Sequence, residues 1–167
     1  MTDKKEKDGN KQLQVLVFTL GGEELAVEIQ CVREVLIPLE IHPLLKSPDF
    51  IDGVINLRNH IIAVIDLRKR FNIKEAADKT KTRIIVCKIS RFLFGLVVDS
   101  VSDVMKIAVK DIDSTPPMVT KGSDDTFFAG IARIDDRVIS LIDLEKIITK
   151  EETDKLTKIK DASNTGY

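Results

Sequence analysis

The sequence has no tryptophan, only two cysteines, and aromatic residues at just 5% of its 167 positions. Cys31 and Cys87 are too few for a disulfide framework and show no metal-ligand spacing. Neither sign of charge is in excess: 26 Lys+Arg face 27 Asp+Glu, a formal net charge of −1. A nucleic-acid binder needs surplus cations to displace counterions from phosphates, so that class is excluded. No apolar run approaches the ~20 residues that cross a bilayer. Residues 1–10 contain no apolar stretch, which argues against a signal peptide. These absences predict a cytoplasmic protein with no membrane insertion.

What is present is a 43% apolar content, enough for a core. Residues 1–12 read as a polar, disordered arm. Residues 151–167 read as a polar tail in which Leu156 and Ile159 share one face of a short C-terminal helix. Between them, over 13–150, the texture is β. Four pairs of strand-forming runs are separated by short turns: 13–20 with 25–29, 53–57 with 61–65, 83–89 with 93–98, and 129–134 with 138–142. The turns fall at Gly21-Gly22, Arg58-Asn59-His60, Ser90-Arg91 and Asp135-Asp136-Arg137. Strands this short with turns this frequent predict small barrels.

The chain repeats itself. Shifted by 77 positions, residues 50–69 fall on 127–146 with seven identities in twenty, among them Phe50/Phe127, Gly53/Gly130 and Asp66/Asp143. At an offset of 69, Val17, Val32 and Val35 fall on Val86, Val101 and Val104. The predicted architecture is all-β: two similar five-stranded barrels, roughly 13–82 and 83–150, sealing each other. Ile29, Val32 and Leu36 have the spacing of one or two helical turns, and Asp99 stands where it would cap the matching turn in the second half.

Candidate chemistry is sparse. Asp66 and Asp143 occupy equivalent places, as a carboxylate dyad would, but each precedes Leu and a charged residue where dyad chemistry wants a small hydroxyl and a glycine. Capping a helix that starts at Leu67 or Leu144 accounts for them better. His42 and His60 are isolated imidazoles, Asp111-Ile-Asp113 lacks the glycine and glutamate of a calcium loop, and Gly21-Gly22 is a turn. No nucleophile with its base can be assembled, so the reading has no catalytic residue, metal or cofactor. Glu34 in Val-Arg-Glu-Val and Arg58 at a hairpin turn are the notable charges. Their equivalents are Asp103 and Asp135, so the basic partner is not repeated, which points to a role carried by the first half and absent from the second.

Phe50-Ile-Asp-Gly-Val-Ile-Asn-Leu-Arg58 followed by Ile61-Ile-Ala-Val-Ile-Asp-Leu-Arg68 resembles the signature of the CheW-like family of bacterial chemotaxis coupling proteins. Phe18-Thr-Leu-Gly-Gly-Glu-Glu-Leu-Ala-Val-Glu-Ile29, Val32-Arg-Glu-Val35, Gly95-Leu-Val-Val-Asp-Ser-Val-Ser-Asp-Val-Met105 and Gly130-Ile-Ala-Arg-Ile134 continue the likeness in order. Asn59 stands where a glycine is usual, Leu25 where an aromatic is common, and Ala63 where proline is frequent.

The resemblance implies two SH3-like barrels with partly exchanged strands. It also implies an adaptor that binds the regulatory domain of a CheA-type histidine kinase together with the cytoplasmic tip of membrane chemoreceptors, and it admits other copies of the chain as partners in rings. Carried onto this chain, the receptor groove would use Val32, Glu34, Arg58 and Val104. The kinase face would use Leu39, Ile41, Leu44 and Leu57. The loop 113–121, with Met118, would be the second kinase contact. The alternatives left open are a coupler for a different output, such as pili or a second messenger, and a hydrolase using Asp66 and Asp143.

Overall fold

The computed structural model describes residues 11–74, 79–113, 127–149, 151–152 and 154. All four anticipated hairpins form. β1 (Gln12–Leu20) pairs with β2 (Glu23–Glu28), β4 (Ile51–Leu57) with β5 (His60–Asp66), β6 (Arg83–Ile89) with β7 (Phe92–Val98), and β10 (Phe128–Ile134) with β11 (Arg137–Ile142). Each turn is only two residues long: Leu57 pairs with His60 and Ile134 with Arg137, so His60 and Arg137 belong to strands rather than turns. Arg58 and Asn59 both take positive φ, 48° and 68°. That is the pattern of the tight turn whose twist matches a hairpin, and asparagine at 59 serves it without glycine.

Two sheets result, ordered β8-β1-β2-β11-β10-β9 and β3-β6-β7-β5-β4. Here β3 is Val32–Leu36, β8 is Ser100–Ala108, and β9 is the two-residue strand Ile112–Asp113. The first hairpin of each half therefore pairs with strands of the other half, through the parallel contacts β2–β11 and β5–β7. The repeat extends to irregularities. The β3–β6 ladder slips at Arg33 and the β1–β8 ladder at Ser102, while β4 and β10 slip at Asp52 and Ala129. Each slip is a bulge that bends its strand and helps curl the sheet. The counterpart of β9 in the second sheet is a single bridge between His42 and Val54.

Burial follows the exchange. Val15, Val17, Ala26, Ile107, Ala132, Ile139 and Leu141 fill the first barrel, and Ile55, Ile62, Val64, Ile84 and Val86 fill the second. The largest cluster, with Phe18, Leu25, Ile65, Ile85, Leu96 and Ile142, takes residues from both sheets and lies between them. No charged or polar residue is buried among the described residues.

Two local expectations are corrected. Ile29–Cys31 makes one 3-10 turn, after which Val32–Leu36 is extended, because pairing with β6 overrides the helical spacing. Residue 99 caps no helix, since Ser100–Ala108 is a strand; Asp99 instead accepts hydrogen bonds from Arg68 Nε and Nη2, both at 2.6 Å, and from the Gly21 N–H at 2.9 Å. The capping of Asp66 and Asp143 is as expected. Asp66 opens the four-residue helix α1 (Leu67–Arg70) by accepting from the Arg68 and Lys69 amides, and Asp143 accepts from the Glu145 amide. Residues 151, 152 and 154 are helical, whereas Leu156 and Ile159 lie outside the described residues.

Candidate partner-docking site

Glu34 lies on β3, at one edge of the second sheet, and Arg58 on the β4–β5 turn near the other edge. Strands stand about 4.8 Å apart, so β3 and β5, three intervals apart, would be roughly 14 Å apart in a flat sheet. Their side chains meet instead. Arg58 Nη1 and Nη2 donate to Glu34 Oε2 and Oε1, each at 2.8 Å, a two-pronged pair across the barrel's open side. The hydrogen bonds from Arg58 hold the Glu34 carboxyl below its ordinary pKa, and those same bonds raise the guanidinium. The pair is solvent-exposed on the arginine side. Val32, two residues before Glu34, packs against the core shared by both sheets. Val104, half exposed at 50%, lies on β8 in the other sheet; its repeat mate Val35 is similarly exposed at 40%.

The segment between β3 and β4 carries the anticipated kinase-face residues. Leu39 is exposed at 41%, while Ile41 and Leu57 pack against the second barrel's core and Leu44 is half-buried. The His42–Val54 bridge, with N–H···O distances of 2.8 and 2.9 Å, pins this segment to β4. Sequence reasoning missed its two most exposed apolar side chains, Ile37 at 73% and Leu45 at 91%. An apolar residue reads the same in sequence whether the fold buries or displays it. Met118 lies outside the described residues.

The absence of a repeated arginine is also corrected. In the second half the partner comes from β11 rather than the turn: Arg137 Nη2 reaches Asp103 Oδ1 at 3.5 Å, and its Nε and Nη2 hold Glu24 at 3.0 and 2.8 Å. The two halves thus both join an arginine of the second hairpin to a carboxylate on the repeat-related strands β3 and β8.

A cavity of about 250 Å³ is lined by Leu13, Glu28, Cys31, Asp143 and Glu145 among others. Burial, then the nearby Glu28 carboxylate, raise the Cys31 thiol, the opposite of what an activated nucleophile needs. Burial pushes Cys87 up further. No group of three or more His, Cys, Asp or Glu in a metal-holding arrangement occurs among the described residues. No helix among them is long and apolar enough to cross a membrane.

The model of the CheW-like domain matches residues 14–152, which is most of the chain. The chain belongs to the CheW-like family. It is 34% identical over 140 residues to the chemotaxis protein CheW of Klebsiella aerogenes, covering 83% of each chain. With the chemotaxis protein CheW of Thermotoga maritima the identity is 33% over 141 residues, 84% of this chain and 91% of that one. The crystal structure of the scaffolding protein TtCheW from Thermoanaerobacter tengcongensis superposes with a TM-score of 0.78 at 37% identity, over 85% of this chain and 91% of that chain. The exchanged double barrel described above is thus the CheW-like fold.

Proposed function

We propose that this chain is a chemotaxis adaptor that couples a CheA-type histidine kinase to the cytoplasmic tips of membrane chemoreceptors by binding both at once. The observation that carries the reading is the second barrel's surface. An apolar segment displaying Ile37, Leu39 and Leu45 stands on the same barrel as the Arg58–Glu34 pair, in a chain of the CheW-like family. Exposed apolar side chains gathered on one segment, bordered by charge, are the mark of a docking surface.

In this reading the receptor's helical tip lays its apolar stripe against Val32 and Val104, and Glu34 and Arg58 fix its register and reject wrong partners. Leu39, Ile41, Leu44 and Leu57 receive the kinase's regulatory domain, and Met118 belongs to a second kinase contact. Other copies of the chain are further partners in rings. The work is done in the cytoplasm at the membrane face of receptor arrays, without insertion and without bond-breaking.

The test mixes the purified chain with a CheA-type kinase and receptor-bearing membranes and follows kinase autophosphorylation. The chain is expected to raise autophosphorylation only when receptor is present; the same rate with and without the chain would overturn the proposal.

A further inference from the structure

Arg70 is the last residue of α1, and its guanidinium meets three separate segments. Its carbon lies 4.2 Å from the centre of the Phe50 ring and 5.1 Å from that of Phe127. Phe50 precedes β4 of the second sheet, and Phe127, its repeat mate, precedes β10 of the first. Both rings belong to the core between the sheets. The guanidinium also donates from Nη1 and Nη2 to Glu152 Oε2 and Oε1, at 3.2 and 3.0 Å. Glu152 in turn accepts the Thr149 N–H at 2.9 Å, and its own N–H donates to Thr149 Oγ1 at 3.1 Å. That reciprocal pair is a capping box, which starts a helix at this point.

The repeat isolates what is special here. The residue equivalent to Arg70 in the second half is Ile147, fully buried in the shared core. Arg70 is itself largely covered, and its Nε is buried with no hydrogen-bond partner. A covered cation with an unpaired donor is a poor way to gain stability, since an apolar side chain of similar volume does as well or better. What the cation adds is direction: it stacks on a ring from each sheet and grips one particular carboxylate.

We propose that Arg70 is a positioning residue that clamps the Thr149–Glu152 turn over the seam between the two sheets and so fixes the angle between the barrels. This goes beyond the adaptor reading and is measured on the isolated chain, so a negative kinase assay leaves it standing. Glu152→Gln is the primary variant, because glutamine keeps the capping box while losing the charge that Arg70 grips. Arg70→Met removes the clamp from the other side, and Arg70→Lys restores the charge without the fork.

Two readouts are taken: amide hydrogen exchange at Thr149 and Glu152, and the distance distribution between spin labels at Lys88→Cys and Lys106→Cys, exposed sites on β6 and β8 of the two sheets. Glu152→Gln and Arg70→Met are expected to exchange on the order of tenfold faster at both amides. They are also expected to broaden the distance distribution, with Arg70→Lys recovering part of each effect. Unchanged exchange in Glu152→Gln overturns the proposal. Faster exchange with an unchanged distance distribution overturns it too, because the contact would then hold only a helix end.

Discussion

Asp103 and Arg137 meet at 3.5 Å although their strands, β8 and β11, are separated by two others in the sheet. The same relation joins Glu34 to Arg58 in the second barrel, so an arginine–carboxylate tie across each barrel is a property of the repeat. The two ties differ in setting. Arg58 projects from a turn, exposed, with one partner, whereas Arg137 lies within a strand, is half-covered and serves Glu24 as well as Asp103.

Different consequences follow for alanine at the two positions. Arg58→Ala is expected to leave the thermal midpoint near that of the wild type, because an exposed pair contributes little to folding, yet to weaken receptor-dependent kinase stimulation. Arg137→Ala leaves Glu24 and Asp103 facing each other without a cation and is expected to lower the midpoint more. Calorimetry on both variants checks this; equal losses of stability would make Arg58 a structural residue like Arg137.

Gly53 fixes the segment between β3 and β4, the one proposed to receive the kinase. Its φ is +146°, and a Cβ there would lie 2.2 Å from the carbonyl oxygen of His42, the atom that accepts from the Val54 N–H. Side chain and bridge cannot coexist. Gly53→Ala is expected to cost about 3 kcal/mol, through backbone strain plus the broken bridge. Gly22, with φ of +80° and nothing within 4 Å of its Cβ position, is the control. Alanine there meets only the backbone penalty of ~1–2 kcal/mol. Denaturant melts of the two variants decide it, and equal losses would refute the role given to the bridge.

Much of this was legible in the residues. Alternating apolar runs punctuated by Gly21-Gly22, Arg58-Asn59, Ser90-Arg91 and Asp135-Asp136 mark four hairpins because both signals are local. The duplication is equally plain from Phe50, Gly53 and Asp66 recurring at Phe127, Gly130 and Asp143. Which hairpin pairs with which half is not legible by those means, since β2 meets β11 and β5 meets β7 across long stretches of chain and no periodicity encodes a partner. Arg137 carries no such signal, since the repeat sets Asp135 opposite Arg58 and only the fold brings a strand arginine to Asp103. Thr149 followed three residues later by Glu152 was a readable capping signal; Arg70 between two distant rings had none. Of the residues proposed for docking, Glu34 and Arg58 are joined by the structure, whereas Val104 stands in the other sheet and Ile37 and Leu45 emerge only once exposure is known.

Asp66 and Asp143 give a direct test of whether the paired aspartates do anything beyond capping. Asp66 Oδ1 accepts from the Arg68 amide at 2.9 Å and the Lys69 amide at 3.4 Å, and Asp143 Oδ1 from the Glu145 amide at 3.1 Å. Burial, and then the neighbouring Asp52 charge, raise the Asp66 carboxyl, so ionising it costs more in the folded chain than in the unfolded one. Asparagine caps as well as aspartate and carries no charge to desolvate. The Asp66→Asn, Asp143→Asn double variant is therefore expected to keep its melting temperature and its kinase stimulation, while alanine at either site costs about 1 kcal/mol. Loss of function in a well-folded asparagine variant would reopen the question of a carboxylate chemistry.

The Arg68–Asp99 pair makes the acid limb of stability predictable. Burial by itself pushes the Asp99 carboxyl up, but the two hydrogen bonds from Arg68 and the one from the Gly21 N–H outweigh it, leaving the group below its ordinary value. A depressed carboxyl binds its proton less readily folded than unfolded. Its contribution is fully present above the unfolded value of about 3.9 and is lost as the pH falls from there through the folded value. Because Gly21 belongs to the β1–β2 turn, Arg68 to α1, and Asp99 joins β7 to β8, the pair ties both halves together. Asp99→Asn is expected to cost about 2 kcal/mol at neutral pH, because the amide offers Arg68 and the Gly21 N–H one uncharged acceptor oxygen where the carboxylate offers two charged ones. The difference should shrink on acidification below about pH 4, since the wild type then loses what the variant never had. Urea melts of both proteins at pH 7, 4 and 3 check the sign, and a gap between them that stays constant over that range would show that Asp99 acts through shape alone.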